Sequence, residues 1–174
     1  MNTLIYILIG IVTMIVILGM IAPKTYNVSR SIVIGKPLAE VYNYLKFIKN
    51  QDQWSPWAEK DPDMKKTFTG IDGEVGFISA WVGNKDVGSG EQEIMGFKEN
   101  EEVASQLRFL KPWESTSDAY LRVFQVGEST KVIWGFRGYN KFPISIMMLF
   151  MNMDRAVGGD FEQGLTKLKK VLEN

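Results

Sequence analysis

The chain begins with a long apolar run that sets it apart from the rest of the sequence. Residues 4–22 carry no charged side chain, and the run ends at Pro23 and Lys24. A bilayer core of roughly 30 Å is spanned by about 20 apolar helical residues. An isolated span satisfies its backbone hydrogen bonds only as a helix. The run therefore predicts one transmembrane helix, with a membrane anchor over residues 1–23.

Two other interpretations of this run are a cleaved signal peptide and a buried core helix. A signal peptide has a positively charged start and a cleavage site of small residues. Here only Met1, Asn2 and Thr3 precede the apolar run, and residues 19–22 read Gly-Met-Ile-Ala, which is a poor cleavage site. The pattern favours an uncleaved anchor over both alternatives.

Basic residues predict the side of the membrane on which the rest of the chain lies. Lys24, Arg30 and Lys36 follow the apolar run, and no basic side chain precedes it. The positive-inside rule then favours a single-pass protein whose C-terminal domain is cytoplasmic. A lipoprotein is excluded because the chain has no cysteine to acylate.

After the anchor, the periodicity of apolar positions changes from strand to helix, back to strand, and finally to helix. Residues 25–34 alternate with period two, and residues 38–47 repeat with helical spacing. Residues 50–62 predict a loop or short helical turns. About six strands follow between residues 64 and 139. The last segment carries one helical apolar stripe, formed by Val157, Phe161, Leu165, Leu168 and Leu172. This order predicts an α+β domain over residues 25–174, with one antiparallel sheet covered by helices on one face.

Composition narrows the possible chemistry. Twenty basic residues balance twenty acidic ones, so no basic field is available to bind nucleic acid. The chain contains neither histidine nor cysteine. A transition-metal site would therefore need carboxylates alone, and Ser-His-Asp or Cys-His catalysis is impossible within this chain. We expect no metal and no cofactor.

The order of elements resembles the helix-grip fold of the START/Bet v 1-like (SRPBCC) superfamily. In that fold a curved antiparallel sheet of six to seven strands wraps around a long C-terminal helix. The resemblance covers residues 25–174 and is closest to the polyketide cyclase/dehydrase-like group. It is carried by residues 26–34 with Pro37, by residues 54–57, 81–84, 88–90 and 107–112, and by Phe161, Gly164, Leu165, Leu168 and Lys169. Many members of the superfamily look like carriers of lipids or other hydrophobic ligands, and a few are enzymes.

Large aromatic residues recur on single faces of the predicted strands. Such residues could line a ligand cavity, because ligand pockets are mostly apolar, or they could simply fill the core. The candidate ligand-binding residues are Trp57, Phe77, Trp81, Phe109, Trp134, Phe136 and Phe161. The expected partner is an apolar small molecule or a lipid, and residues 4–22 are expected to contact the membrane.

Three functions are compatible with these patterns. The first is a membrane-anchored module that binds an apolar ligand, the second is a cyclase or dehydratase, and the third is an interaction or stress-response domain with a filled cavity. No catalytic motif can be matched residue by residue. The polar candidates are expected mainly as surface ion pairs on the convex face of the sheet. They are Arg108, Arg122, Arg137, Asp118, Asp154, Tyr120 and Tyr139.

Two further features have more than one interpretation. Residues 142–153 read FPISIMMLFMNM. They could enter the surface of a bilayer or form an internal helix on the edge of the sheet. The glycines of the last helix each cost roughly 0.5–1 kcal/mol relative to alanine. Gly158, Gly159 and Gly164 could permit a close approach to the sheet or leave room for a ligand, and the first two could instead mark the start of the helix.

Overall fold

Seven strands and four α-helices make up residues 2–174, the part of the chain that this computed structural model describes. Met1, the first residue of the predicted anchor, lies outside the described residues. The helices are α1 (Asn2–Ile21), α2 (Leu38–Leu45), α3 (Pro56–Lys60) and α4 (Met153–Glu173), with 3₁₀ helices at Ile48–Gln53 and Ile144–Leu149. The strands are β1 (Thr25–Ile34), β2 (Lys65–Thr69), β3 (Ile78–Val82), β4 (Ser89–Lys98), β5 (Glu102–Lys111), β6 (Ser115–Val126) and β7 (Ser129–Tyr139).

All seven strands form one curved antiparallel sheet in the order β1-β7-β6-β5-β4-β3-β2. Strands β2 to β7 follow each other as a meander, because short turns join them. β1 pairs with β7 along its whole length, from Thr25 opposite Tyr139 to Ile34 opposite Thr130. Register shifts interrupt β4 between Ser89 and Gly90 and again near Gly96. Such bulges bend a strand. The predicted α+β fold with a sheet of six to seven strands is confirmed.

Helix α1 stands apart from the packed domain. It is long and apolar enough to cross a membrane, and its large side chains from Leu4 to Ile17 are exposed. The interpretation as a buried core helix is therefore wrong. Only the last turn touches the domain, where Gly19 and Ala22 are buried.

Helix α4 packs across the concave face of the sheet, mainly against β1. Its predicted apolar stripe faces the core: Phe161, Leu165, Leu168 and Leu172 are buried, and Val157 is half-buried. Leu165 and Leu168 belong to a close-packed cluster that also contains Ile34 and Val132. Val157 and Phe161, in the N-terminal half of the stripe, also line a cavity.

The glycines of α4 have different surroundings. The helix begins at Met153, where the Asn152 side chain accepts a hydrogen bond from the Arg155 amide at 3.2 Å. Gly158 and Gly159 therefore lie inside the helix and do not mark its start. A Cβ atom at Gly158 would lie 2.2 Å from the Arg30 guanidinium, and one at Gly164 would lie 2.7 Å from the Trp134 ring. These two glycines permit close approach, whereas a Cβ at Gly159 would meet no atom within 4 Å.

Candidate ligand cavity

A cavity of about 200 Å³ lies between the concave face of the sheet and the N-terminal half of α4. The 3₁₀ helix at Ile48–Gln53 and the start of α3 border its third side. Six of the seven predicted ligand-binding residues line it: Trp57, Trp81, Phe109, Trp134, Phe136 and Phe161. Strand alternation brings four of them to the concave face, and α3 and α4 supply the other two.

One wall of the cavity is a cluster of four aromatic rings. Trp134 and Phe161 are stacked with ring centroids 4.4 Å apart. Trp57 meets Trp134 edge to face at 5.5 Å, and Phe136 meets Phe161 in the same way at 5.5 Å. Aromatic pairs in these geometries add about 0.5–1.5 kcal/mol each beyond the burial of their area. The wall is therefore held rigidly in place.

The opposite wall consists of Trp81 on β3 and Phe109 on β5, whose ring centroids are 6.0 Å apart. The two residues are separated by β4, where both pair with Gly90. A Cβ atom at Gly90 would lie 2.7 Å from the Trp81 ring and 2.5 Å from the Arg108 carbonyl oxygen. Gly90 thus lets the Trp81 ring lie across β4 and reach Phe109.

Gln92, Asp52 and Lys66 of the lining pair with protein partners. The Gln92 amide donates to the Ser105 hydroxyl at 2.9 Å. Asp52 and Lys66 form an ion pair in which the Asp52 side chain is 46% exposed. This pair therefore lies at the rim of the cavity. Within residues 2–174, the lining includes neither tyrosine nor arginine. The described residues also contain no cluster of three acidic side chains that could hold a metal ion.

Comparison with solved structures places this architecture among known folds. The Aha1 dimer from Colwellia psychrerythraea matches with a TM-score of 0.59 and 16% identity, over 85% of this chain and 96% of that one. A protein from Thermobifida fusca matches with a TM-score of 0.60 and 16% identity, over 84% and 92% of the two chains. Ara h 8.0201 matches with a TM-score of 0.55 and 8% identity, over 86% and 95%.

This chain has the helix-grip fold. The predicted resemblance to the START/Bet v 1-like superfamily is confirmed at the level of the fold, which is all that identities of 8–16% establish. Neither a protein-family model nor a curated protein sequence matches the chain.

Phe77 is the predicted ligand-binding residue that does not line the helix-grip cavity. It lies on the expected concave face, one residue before β3, but it packs in a separate cluster with Ile48 and Ile94. Its ring also stacks on Phe68 with centroids 6.0 Å apart. The 3₁₀ helix that begins at Ile48 covers Phe77, so this prediction is corrected.

Sequence reasoning did not select several residues of the lining. Leu107 and Ser79 share the strand faces of Phe109 and Trp81, so the alternation that identified the aromatic residues could also have identified them. Asp52 comes from an irregular segment whose pattern indicates no direction for its side chains. Trp54 is almost completely buried behind the aromatic wall, 4.8 Å from Trp134.

The acid–base candidates lie away from the cavity lining. Arg108 donates to Glu91 at 2.5 Å and to Glu93 at 2.6 Å on the convex face. Its hydrogen bond to Glu91 is the main cause that raises the pKa of Arg108. Arg122 pairs there with Glu102 at 2.5 Å.

Four other polar candidates also lie outside the lining. Arg137 pairs with Asp118 at 3.5 Å, and the Tyr120 hydroxyl donates to the Asn27 amide oxygen at 3.0 Å. Tyr139 is 56% exposed. These positions agree with the predicted ion pairs of the convex surface.

Asp154 is the exception among these candidates, because it lies on α4 rather than on the sheet. Arg30 of β1 donates to both of its carboxylate oxygens, at 2.7 and 3.0 Å. The same guanidinium binds Glu162, about two turns further along α4, at 2.7 Å. The hydrogen bond from Arg30 lowers the pKa of Asp154. This network joins α4 to the edge strand and involves no residue of the cavity lining.

Proposed function

We propose that this protein is a membrane-anchored module that binds an apolar small molecule, or part of a lipid, in its helix-grip cavity. The observation that carries the proposal is the aromatic-walled cavity of about 200 Å³. Ligand sites are typically concave and mostly apolar, with a few polar groups that orient the ligand. Gln92, Ser79 and the Asp52–Lys66 pair are such groups here.

The size of the cavity limits the ligand. Pockets for drug-sized molecules usually measure about 300–1,000 Å³, whereas an engineered apolar cavity of about 150 Å³ already binds benzene. A cavity of about 200 Å³ therefore suits a compact ligand of one or two rings, or a short section of an acyl or isoprenoid chain. A longer ligand would extend past the Asp52–Lys66 rim into solvent.

The arrangement of polar groups favours binding over catalysis. A cyclase or dehydratase needs an acid or base within hydrogen-bond reach of its substrate. The carboxylate and ammonium groups at the cavity, those of Asp52 and Lys66, bind each other. The other candidates bind partners elsewhere on the sheet or on α4. A filled interior would favour an interaction domain, and the cavity argues against that interpretation.

The proposed anchor is α1, within residues 1–23, and the proposed ligand-binding domain is residues 25–174. The exposed apolar surface of α1 needs a lipid environment if the helix is retained after synthesis. Contact with the domain supports retention, because a Cβ atom at Gly19 would lie 2.7 Å from the Phe142 ring. The basic residues that follow the helix support a cytoplasmic domain.

A pair of matched variants tests the binding site. Ala119 lies on the concave face and lines the cavity, so Ala119→Phe should place a benzyl ring in the space available to a ligand. Ala80→Phe makes the same change on the opposite face of β3, since its neighbours Ser79 and Trp81 are the ones that line the cavity. Both variants should be compared with the unmodified full chain in lipid nanodiscs.

The probe is 1-aminonaphthalene, a two-ring fluorophore that accepts energy from tryptophan. Trp57, Trp81 and Trp134 line the cavity, so a bound probe should quench their emission in a saturable manner. Ala119→Phe should weaken this binding at least tenfold, and Ala80→Phe should leave it unchanged. The difference between the variants cancels the signal from probe dissolved in the lipid. Equal, non-saturable quenching in all three proteins would contradict the proposal.

A further inference from the structure

The sheet has one end at which α1 enters the domain. Strand register places the start of β1 opposite the end of β7, with Thr25 paired to Tyr139. The turn between β5 and β6, residues 112–114, lies at the same end, because Ser117 of β6 pairs with Gly138 of β7. The Asn140 amide donates to the Lys24 carbonyl oxygen at 2.7 Å. We refer to this as the α1 end of the sheet.

Large apolar side chains are exposed at the α1 end. Trp113 at the tip of the β5–β6 turn is 72% exposed, Phe142 is 59% exposed and Phe150 is 83% exposed. In a soluble domain, contiguous exposed apolar surface marks a site of interaction with a protein or a membrane. Tryptophan is also enriched where proteins cross the membrane–water interface.

The segment of residues 142–151 presents its apolar face outward. Ile144, Met147 and Phe150 are exposed and recur every third residue along the 3₁₀ helix Ile144–Leu149 and the residue that caps it, Phe150. A 3₁₀ helix has three residues per turn, so these three side chains lie on one face. Ser145, by contrast, is fully buried. An ordinary surface helix buries its apolar residues and exposes its polar ones, and this segment does the reverse.

The segment also does not pack on the edge of the sheet as an internal helix would. A groove of about 410 Å³ separates residues 148–154 from the start of β1. The segment packs against α1 instead, where the Phe142 ring lies against Gly19. The apolar run of α1 continues to Ala22, three residues past Gly19. At a helical rise of about 1.5 Å per residue, Phe142 lies about 4–5 Å inside the end of that run.

Charge at the two ends of the sheet is also unequal. Exposed lysines lie near the apolar side chains in sequence at the α1 end, namely Lys24, Lys111 and Lys141, and Glu114 beside Trp113 is an exposed acidic residue at this end. The turns at the opposite end carry exposed acidic residues, namely Glu99, Glu101 and Glu128. Basic residues next to a membrane are attracted to anionic headgroups, by about 1 kcal/mol each near the surface.

We propose that residues 142–151 and Trp113 form a membrane-docking surface that holds the domain against the bilayer beside α1. The inference rests on the proposed role of α1 as the anchor, because the Phe142–Gly19 contact sets the depth of the surface. Phe142, Met147 and Phe150 would lie among the upper acyl chains, with Trp113 at the headgroup level and the lysines facing phosphates. The domain would then be held in one orientation rather than free on a tether.

Single cysteine variants of the full chain can test this surface, because the native sequence contains no cysteine. Phe150→Cys and Trp113→Cys probe the docking surface. Phe124→Cys is the matched control, since Phe124 is a 48% exposed aromatic residue on β6 near the opposite end. Ile11→Cys in the middle of α1 reports on the anchor alone. Each variant is spin-labelled in vesicles of phosphatidylcholine and phosphatidylglycerol.

Collision rates of the labels with oxygen, which concentrates in lipid, and with a nickel chelate, which stays in water, give the outcome. The labels at positions 113 and 150 should show a higher oxygen-to-nickel ratio than the label at position 124. A water-like ratio at either position, with position 11 in lipid, would overturn the docking surface and leave the anchor intact. Low collision rates with both reagents at position 150 would show a protein contact and would also overturn it. A water-like ratio at position 11 would refute the anchor and, with it, a docking surface beside α1.

Discussion

Two glycines of α4 allow the packing of the helix against the cavity wall to be measured. Gly159 and Gly164 lie in the same helix, five residues apart, and the same substitution can be made at both. A Cβ atom at Gly159 would meet no atom within 4 Å. A Cβ atom at Gly164 would lie 2.7 Å from the Trp134 ring and 3.1 Å from the Pro56 ring.

The two substitutions should change the free energy of unfolding in opposite directions. Alanine in place of glycine inside a helix stabilises by roughly 0.5–1 kcal/mol, and Gly159→Ala should show this gain in full. Gly164→Ala receives the same gain, but overpacking a close contact costs typically about 1–3 kcal/mol. Trp134 cannot easily move away, because Trp54, Trp57 and Phe161 surround its ring. Gly164→Ala should therefore be destabilising overall.

The difference between the two variants is the informative quantity, because the helical preference for alanine cancels. It should equal the overpacking cost of about 1–3 kcal/mol. For a domain of this size, each kcal/mol shifts the melting temperature by about 2–4 °C. Thermal unfolding of the full chain in one detergent, followed by tryptophan emission, should place Gly164→Ala below Gly159→Ala by about 2–12 °C. Equal shifts, or a stabilising Gly164→Ala, would refute the packing of Gly164 against Trp134.

Two further predictions concern residues of α4. Phe161→Ala should destabilise the domain by about 3–5 kcal/mol, since this side chain is only 3% exposed, and an unchanged urea midpoint would show that the stripe does not face the core. The hydrogen bond from Arg30 holds the pKa of Asp154 below its usual range. The stability that this pair contributes is therefore fully present above the ordinary aspartate pKa. It is lost as the pH falls through the lowered pKa of the folded protein. Asp154→Asn should flatten that acidic part of the stability profile, and an unaltered profile measured by chemical denaturation would contradict the role of the pair.

The fold could be predicted because each of its elements has a clear local period. Residues 25–34 alternate with period two apart from Arg30 on the apolar face and Val33 on the polar face, and the strand has the same bounds in the structure. The stripe of α4 repeats over five apolar positions, and its three C-terminal residues lie in the close-packed core. An apolar run of the length of α1 has few alternatives, since a lone helix satisfies all its own backbone hydrogen bonds.

The cavity was predicted in part for the same reason. Period-two alternation determines which face of a strand a side chain occupies, and this was enough to bring Trp81, Phe109, Trp134 and Phe136 to the concave face. Alternation does not determine what covers that face. Phe77 has the predicted direction, but the 3₁₀ helix at Ile48–Gln53 lies over it, and this contact joins residues far apart in the chain.

The sequence by itself determined the element order, the concave face of the sheet and the candidate membrane helix, because these depend on patterns within single segments. Only the tertiary structure decided that Gly90 lets Trp81 cross β4, that Asp52 meets Lys66 at the rim, and that residues 142–151 lean on α1. Each of these contacts joins segments that have no common period. Their side chains meet only after the sheet has curved and α4 has packed across it, and this arrangement leaves the space that a ligand would occupy.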